Sequence, residues 1–554
     1  MKYKNPIIKG FHPDPSICRV KAESRLQDFH LQESHLQDSF LWDYYLVTSS
    51  FEYFPGIPVY HSTDLVNWKQ IGNCINYENK LDLSKVKESG GIWAPTIRYE
   101  KGTFYVTAAM EKLEKNQFGN FIIHTKDIYG TWSEPSWVAV GGIDPSLFFE
   151  DGKAYYCTNE STKDGKESIR LGVVNPDTGE ILEEFRPIWY GAGGGWLEAP
   201  HIYHIGEWYY LLCAEGGTFH GHHEVAARAK NIWGPYESCP FNPILTNQND
   251  TSKQVNCCGH GDLVEDGKGN WWMVHLGCRP GKAGMSPLGR ETFLTQIVWK
   301  EEWPLAGSGC GRVMEEGPLM EGQYPGEEKK DDFKSPIWPL WWCFVRNPML
   351  FRYMRGDGRL GICPSGRKPD GNRMEGFVCV RQPDIDFTME VTLMFRGREG
   401  FLLKEADAAG LLLWLNHEFY CFFGVRMHEG ERELFLERRA EDFHTLTWSE
   451  GCGEKEATGM TPEKGREAVL SEEGEEKAVR LAVKGGRDEY VFGLIQPDGS
   501  FMKKCSASSR FLSTGVADRC FTGTMAGLYA ESAKETGAFA VFADFRIRGN
   551  NDFN

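Results

Sequence analysis

The first three-fifths of the chain follows one degenerate repeat, and no other feature limits its fold as strongly. Each unit opens on a short motif, runs on as an extended segment, turns, and returns as an aromatic strand. The openings are Asp14-Pro15-Ser16-Ile17, Trp93-Ala94-Pro95-Thr96-Ile97, Asp144-Pro145-Ser146-Leu147, Glu198-Ala199-Pro200-His201-Ile202 and Gly259-His260-Gly261-Asp262-Leu263. The last four lead into Gly102–Thr107, Asp151–Tyr156, Gly206–Leu211 and Gly269–Val274. Their Asp-Gly and Gly-plus-polar signals suit tight hairpins. A further echo in Ser62–Trp68, Thr125–Trp132 and Ala229–Tyr236 marks the outer turn and last strand of a four-stranded unit. Pro95, Pro145, Pro200 and Gly261 follow one another at 50, 55 and 61 residues. Pro15 precedes Pro95 by 80, and the excess is a polar insertion, Lys21–Trp42, between Ile17–Val20 and Tyr44–Val47; without its 22 residues the spacing is 58. Five units of this length, each enough for one four-stranded blade, predict a five-bladed β-propeller. An aromatic content of 13% and 62 glycines agree with an all-β chain.

The chain is too long for one core, since a single core stops growing near roughly 250–300 residues. The propeller is expected to close near Arg290–Pro304, giving a first domain over residues 1–320. Glu321–Lys334 is rich in Gly, Pro and charge and reads as a linker. Beyond it, Phe387–Leu393, Ala409–Trp414 and Phe539–Ile547 read as strands of a two-sheet β-sandwich over residues 331–554. The charged, Gly-rich stretch from His428 to Lys477 is expected to form long exposed loops.

A formal charge of −17 argues against nucleic-acid binding, which needs a basic face. No apolar core follows Met1-Lys2-Tyr3-Lys4, and the most apolar windows, Trp338–Val345 and Gly410–Leu415, fall short of the roughly 20 residues a membrane span needs. The 16 cysteines are scattered, many in apolar surroundings, with no Cys-x-x-Cys pair. A reducing cytoplasm is the expected location.

A propeller gathers the starts of its innermost strands around one funnel. Three openings place acids at matched positions: Asp14, Asp144 and Glu198. Taken singly, each has a bland reading, because Asp-Pro commonly starts a turn and a lone Glu usually faces solvent. Taken together they are carboxylates that repel, so at least one should hold a proton at neutral pH. One protonated and one ionised carboxyl flanking a sugar is what glycoside hydrolysis requires. The cluster Phe219–Glu224, with three histidines, could suggest a metal site, but nothing closes a tetrahedral ligand set, and a pocket loop is the better reading.

Asn5–Ile17, Ser49–Gly56, Gly91–Pro95 and Leu288–Thr292 resemble glycoside hydrolase family 43, in its β-xylosidase branch. Asp331-Asp332-Phe333 and Phe521–Gly527 resemble that branch's appended concanavalin-like sandwich. The resemblance implies an inverting hydrolase in which Asp14 is the general base, Glu198 the general acid and Asp144 the third carboxylate, raising the acid's pKa and orienting it. It implies that Arg290 contacts sugar hydroxyls beside the base and that Phe51 and Trp93 are walls for a sugar ring. Thr218, His222 and His260 would line the pocket, with Phe521 reaching from the sandwich. No cofactor is required; a structural calcium near His260 is the variant some relatives show. The branch's Glu-Gly-Pro-His is Glu198-Ala199-Pro200-His201 here, a methyl group that is expected to change little.

The leading expectation is an exo-acting enzyme that releases xylose from the non-reducing end of short β-1,4-xylo-oligosaccharides. An α-L-arabinofuranosidase, or an enzyme with both activities, is the alternative, and a non-catalytic sugar-binding propeller ranks below both. Fructan-cleaving propellers and sialidases lack support, because their Asn-Asp-Pro-Asn and Ser-x-Asp-x-Gly-x-Thr-Trp boxes are missing. The substrate is expected to be a small oligosaccharide, with no nucleic-acid or membrane partner; self-association into a homo-oligomer stays open.

Overall fold

A computed structural model describes residues 2–22, 42–77, 81–112, 117–161, 166–248, 250, 254–280, 286–318, 326, 328–364, 374–397, 403–451, 478–517, 520–532 and 538–550. The chain forms two compact units, Met1–Pro280 with Gly289–Tyr324, and Gly281–Leu288 with Pro325–Asn554. The sequence boundary near residue 320 did not foresee that 281–288 joins the second unit. There the carbonyls of Ser286 and Pro287 accept hydrogen bonds from the amides of Thr514 and Thr524.

The first unit is a five-bladed propeller, each blade a four-stranded antiparallel sheet made of consecutive strands. The innermost strands are Ser16–Lys21, Ile92–Glu100, Ser146–Glu150, Glu198–Ile205 and Asn256–Glu265. Each neighbours the next, and the fifth returns to the first. The turn between Ser146–Glu150 and Lys153–Ser161 shows why the repeat works. Asp151 and Gly152 both have positive φ, 50° and 77°, as a two-residue hairpin twisted like its strands demands. The aromatic second strands lie between neighbouring blades and are buried on both faces. Tyr45, Phe54 and Phe104 pack between blades one and two, and Tyr155, Leu211 and Val225 between blades three and four. Strand propensity and the aromatic surplus thus serve the same five inter-blade cores.

The ring is closed by the N-terminus. Tyr3–Lys4 pairs with Glu316–Gly317, Asn5 bonds the backbone of Leu294 and Met314, and Ile7 donates to Thr292. In the hub below the funnel, buried Asp262 accepts hydrogen bonds from Ser16 Oγ, the Ile17 amide, both terminal nitrogens of Arg98 and the Tyr203 hydroxyl. Four of the five blades meet at that one carboxylate.

The second unit is a sandwich of an eight-stranded and a six-stranded sheet around one apolar core that includes Leu411, Phe423, Leu481, Phe492 and Phe542. Two sequence expectations change here. The stretch after His428 is a hairpin, Glu431–Ala440 with Phe443–Gly451, at the edge of the six-stranded sheet. Its charges pair across strands, as in Arg426–Glu433 and His444–Glu437, so high charge did not mean loop. The linker also ends early, because Lys329–Asp331 pairs with the long Ala538–Gly549 strand. Asp331 then accepts Trp342 Nε1 and a bidentate Arg355. Most of the Lys21–Trp42 insertion, and residues 452–477 of the charged stretch, lie outside the described residues.

One backbone device recurs at the blade openings. Asp14, Asp144, Ala199 and His260 all adopt positive φ, 55°, 52°, 54° and 55°. Each precedes Pro15, Pro145, Pro200 or Gly261, the matched positions of the repeat. At Ala199 this revises the expectation that one methyl matters little, since an L-residue in the left-handed region costs roughly 1–2 kcal/mol. Ala199→Gly should therefore raise the thermal midpoint of the first unit, with a gain of up to about 1 kcal/mol after the entropy of an added glycine is subtracted. A lowered midpoint in differential scanning calorimetry would mean that burial of the methyl outweighs the strain.

Candidate active site

The funnel collects side chains from all five blades. The positive φ of Asp14 is followed at once by the first inner strand, so its carboxylate is fixed at the strand's start. Arg290 Nη1 donates to its Oδ1 at 2.7 Å, Ser49 Oγ donates to its Oδ2, and His260 Nδ1 lies 3.7 Å from Oδ1. Only 4% of the Asp14 side chain is exposed.

Glu198 starts the fourth inner strand, and the backbone before it is clamped. The Leu197 amide donates to Glu167, and the Leu197 carbonyl accepts from Asn159. His222 Nδ1 stands 4.0 Å from Glu198 Oε1. Burial, reinforced by the charge of Asp14 and by Glu167 and Glu224, pushes Glu198 up to about 8 against the pull of Arg290. Burial also raises Asp144 to about 7, where repulsion from Glu198 and Asp14 is opposed by His260 and Arg290. The three acids found by repeat position therefore form one electrostatic cluster.

Aromatic and polar candidates of the first unit join it. Phe51 and Trp93 lie 5.9 Å apart at 43°, joined by the Phe51–Ile92 bridge, and the Arg290 guanidinium sits 5.6 Å from the Phe51 ring centre. Burial, with repulsion from His260 and Arg290, lowers His222 to about 3, so its ring is neutral. Its Nδ1–H donates to the Gly217 carbonyl at 2.8 Å, which leaves Nε2 as a bare acceptor. That Nε2 and Thr218 Oγ1 are buried and have no partner among the described residues. Gly259 gives the imidazole its room, since a Cβ there would meet His222 Cδ2 at 2.2 Å. Phe521 belongs to the second unit and is half-buried there.

Sequence reasoning missed Ser49, Glu167 and Glu224. Ser49 lies inside a quoted motif, but its partner Asp14 is 35 residues away. Glu224 was read only as part of the histidine cluster, yet its buried carboxyl accepts the Gly261 amide at 2.9 Å and so fixes the fifth opening. The histidine cluster itself divides. His223 Nδ1 faces the Gly221 carbonyl, and its Nε2 is 3.6 Å from Glu215. No group of three His, Cys, Asp or Glu among the described residues is placed to hold a metal. At the hub, the Arg98 guanidinium already supplies positive charge against Asp262.

Similarity to known proteins agrees with the geometry. Residues 39–304 match the model of glycosyl hydrolases family 43, and residues 330–548 match the β-xylosidase C-terminal concanavalin A-like domain. A non-reducing end α-L-arabinofuranosidase of Bacteroides ovatus is 35% identical over 535 residues, covering 95% of this chain and 91% of that protein. A β-xylosidase of Bacillus subtilis is 34% identical over 466 residues, covering 79% of this chain and 81% of its own. The solved structure of a xylan β-1,4-xylosidase from Bacillus halodurans C-125 superposes with a TM-score of 0.84 at 27% identity, over 99% of this chain and all of that one (100%). With its three funnel acids on a five-bladed propeller and its sandwich domain behind them in sequence, the chain belongs to glycosyl hydrolases family 43.

Proposed function

We propose that this site hydrolyses glycosides by inversion, removing one xylose at a time from the non-reducing end of short β-1,4-xylo-oligosaccharides. The observation that carries the reading is the unequal surroundings of two carboxyls. Asp14 accepts an Arg290 guanidinium and the Ser49 hydroxyl, contacts suited to a carboxylate. Glu198, at about 8, keeps a proton at neutral pH. Asp14 takes a proton from water as the water oxygen bonds to the sugar's anomeric carbon. Glu198 gives its proton to the departing glycosidic oxygen, so the bond breaks to two neutral hydroxyl products. Asp144, raised to about 7 by burial and by repulsion from Glu198 and Asp14, is the third carboxyl of the cluster. Phe51 and Trp93 supply apolar faces for the ring, while Thr218 Oγ1 and His222 Nε2, which have no partner among the described residues, are available to sugar hydroxyls.

A second reading is favoured by the Bacteroides ovatus relative, named an α-L-arabinofuranosidase and matched over nearly the whole chain. The proposal extends to a cytoplasmic setting, supported by free thiols at every described cysteine. No helix among the described residues is long and apolar enough to cross a membrane.

On 4-nitrophenyl glycosides, kcat/KM for the β-D-xyloside should exceed that for the α-L-arabinofuranoside; a clear reversal overturns the xylosidase ranking. Asp14→Ala and Glu198→Gln should each cost about 100- to 10,000-fold in kcat/KM on xylobiose, and unchanged hydrolysis by either rejects the assignment. Because the acid must be protonated to act, kcat/KM should fall as pH rises through about 8, and this alkaline limb should be set by Glu198. An alkaline limb near pH 5 would contradict it.

A further inference from the structure

We propose that Trp196 is a platform for the sugar on the leaving side of the cleaved bond, and so sets the preference for oligosaccharides over simple glycosides. This inference rests on the hydrolytic reading above. Trp196 precedes Glu198 by two residues and is 71% exposed, an unusual state for the largest apolar side chain. Its φ is +56°, a region that disfavours bulky residues. Exposure and strain both count against keeping a tryptophan here for the fold alone.

The loop that carries it is held firmly. Buried Glu215 accepts the amides of Ala192 and Gly194, and its carboxylate faces His223. The Gly195 carbonyl accepts the Gly216 amide at 2.7 Å. The indole lies over Gly217, where an added Cβ would sit 3.6 Å from Trp196 Cγ. The Gly217 carbonyl in turn fixes His222, 4.0 Å from Glu198. A continuous path thus runs from the solvent-facing indole through Gly217 and His222 to the acid. The acid must face the oxygen of the departing sugar, so an aromatic face anchored on the outer side of that acid meets the next ring. The apolar face of a pyranose suits such a surface.

The test compares Trp196→Ala and Trp196→Phe with the unmutated enzyme, using kcat/KM on xylobiose and xylotriose and the inhibition constant of free D-xylose. D-xylose fills only the buried end. Trp196→Ala should lower kcat/KM on xylotriose about tenfold, corresponding to roughly one stacked ring. Trp196→Phe should restore most of it, and the D-xylose constant should stay within about twofold, below the resolution of one lost contact. Unchanged kcat/KM on xylotriose, or a parallel loss of D-xylose binding, overturns the inference. If the unmutated enzyme releases only arabinose, the xylosidase ranking fails. The same comparison on arabinofuranosyl-xylobiose, against free L-arabinose, then decides the role of Trp196.

Discussion

The carboxylate of Asp262 is the constraint on which the propeller's interior depends. Buried at the hub, it receives donors from blade one through Ser16 and Ile17, from blade two through Arg98 and from blade four through Tyr203, while itself belonging to blade five. Burial alone would favour its neutral form. Arg98, through its charge and with hydrogen bonds from Arg98 and Ser16, instead holds it well below the ordinary carboxylate range. A buried pair of this kind is weak evidence of net stability, but removing one partner strands the other charge. Its value lies in geometry, because the starts of the inner strands are tied to one point and the acids above them cannot drift apart.

On that fixed floor, function follows from unequal surroundings rather than unequal chemistry. Asp14 sits between a guanidinium and a hydroxyl, whereas Glu198 faces burial and several like charges. The repeated positive φ at Asp14, Asp144, Ala199 and His260 is the matching backbone device. It turns each opening sharply into its strand and delivers side chains to the funnel. Strain in such positions persists only where the surroundings over-determine it, and here the hub, the Glu224 contact with Gly261 and the Leu197 clamp provide that determination.

Much of this was legible in the residues because repetition encodes both blade boundaries and site positions. Asp14, Asp144 and Glu198 could be aligned without coordinates, since equivalent places in equivalent blades must converge. Ser49, Glu167 and Glu224 could not, because each acts through a partner distant in sequence and sits at no matched repeat position. Ala199 looked innocuous until its φ was known. The edge hairpin 431–451 was hidden for a different reason: its charges satisfy one another across the strands, a pairing that composition does not record. The excursion 281–288 was hidden because domain boundaries were read as a single cut along the chain.

The central claim is that Asp14 drives water directly onto the anomeric carbon while Glu198 protonates the leaving group on the other side. Proton NMR of the xylose released from 4-nitrophenyl β-D-xyloside, the only sugar that substrate yields, followed before mutarotation, tests it most directly. The account predicts that α-D-xylose appears first and then equilibrates. First appearance of β-D-xylose would mean retention through a covalent intermediate and would contradict the assignment of Asp14 as a base.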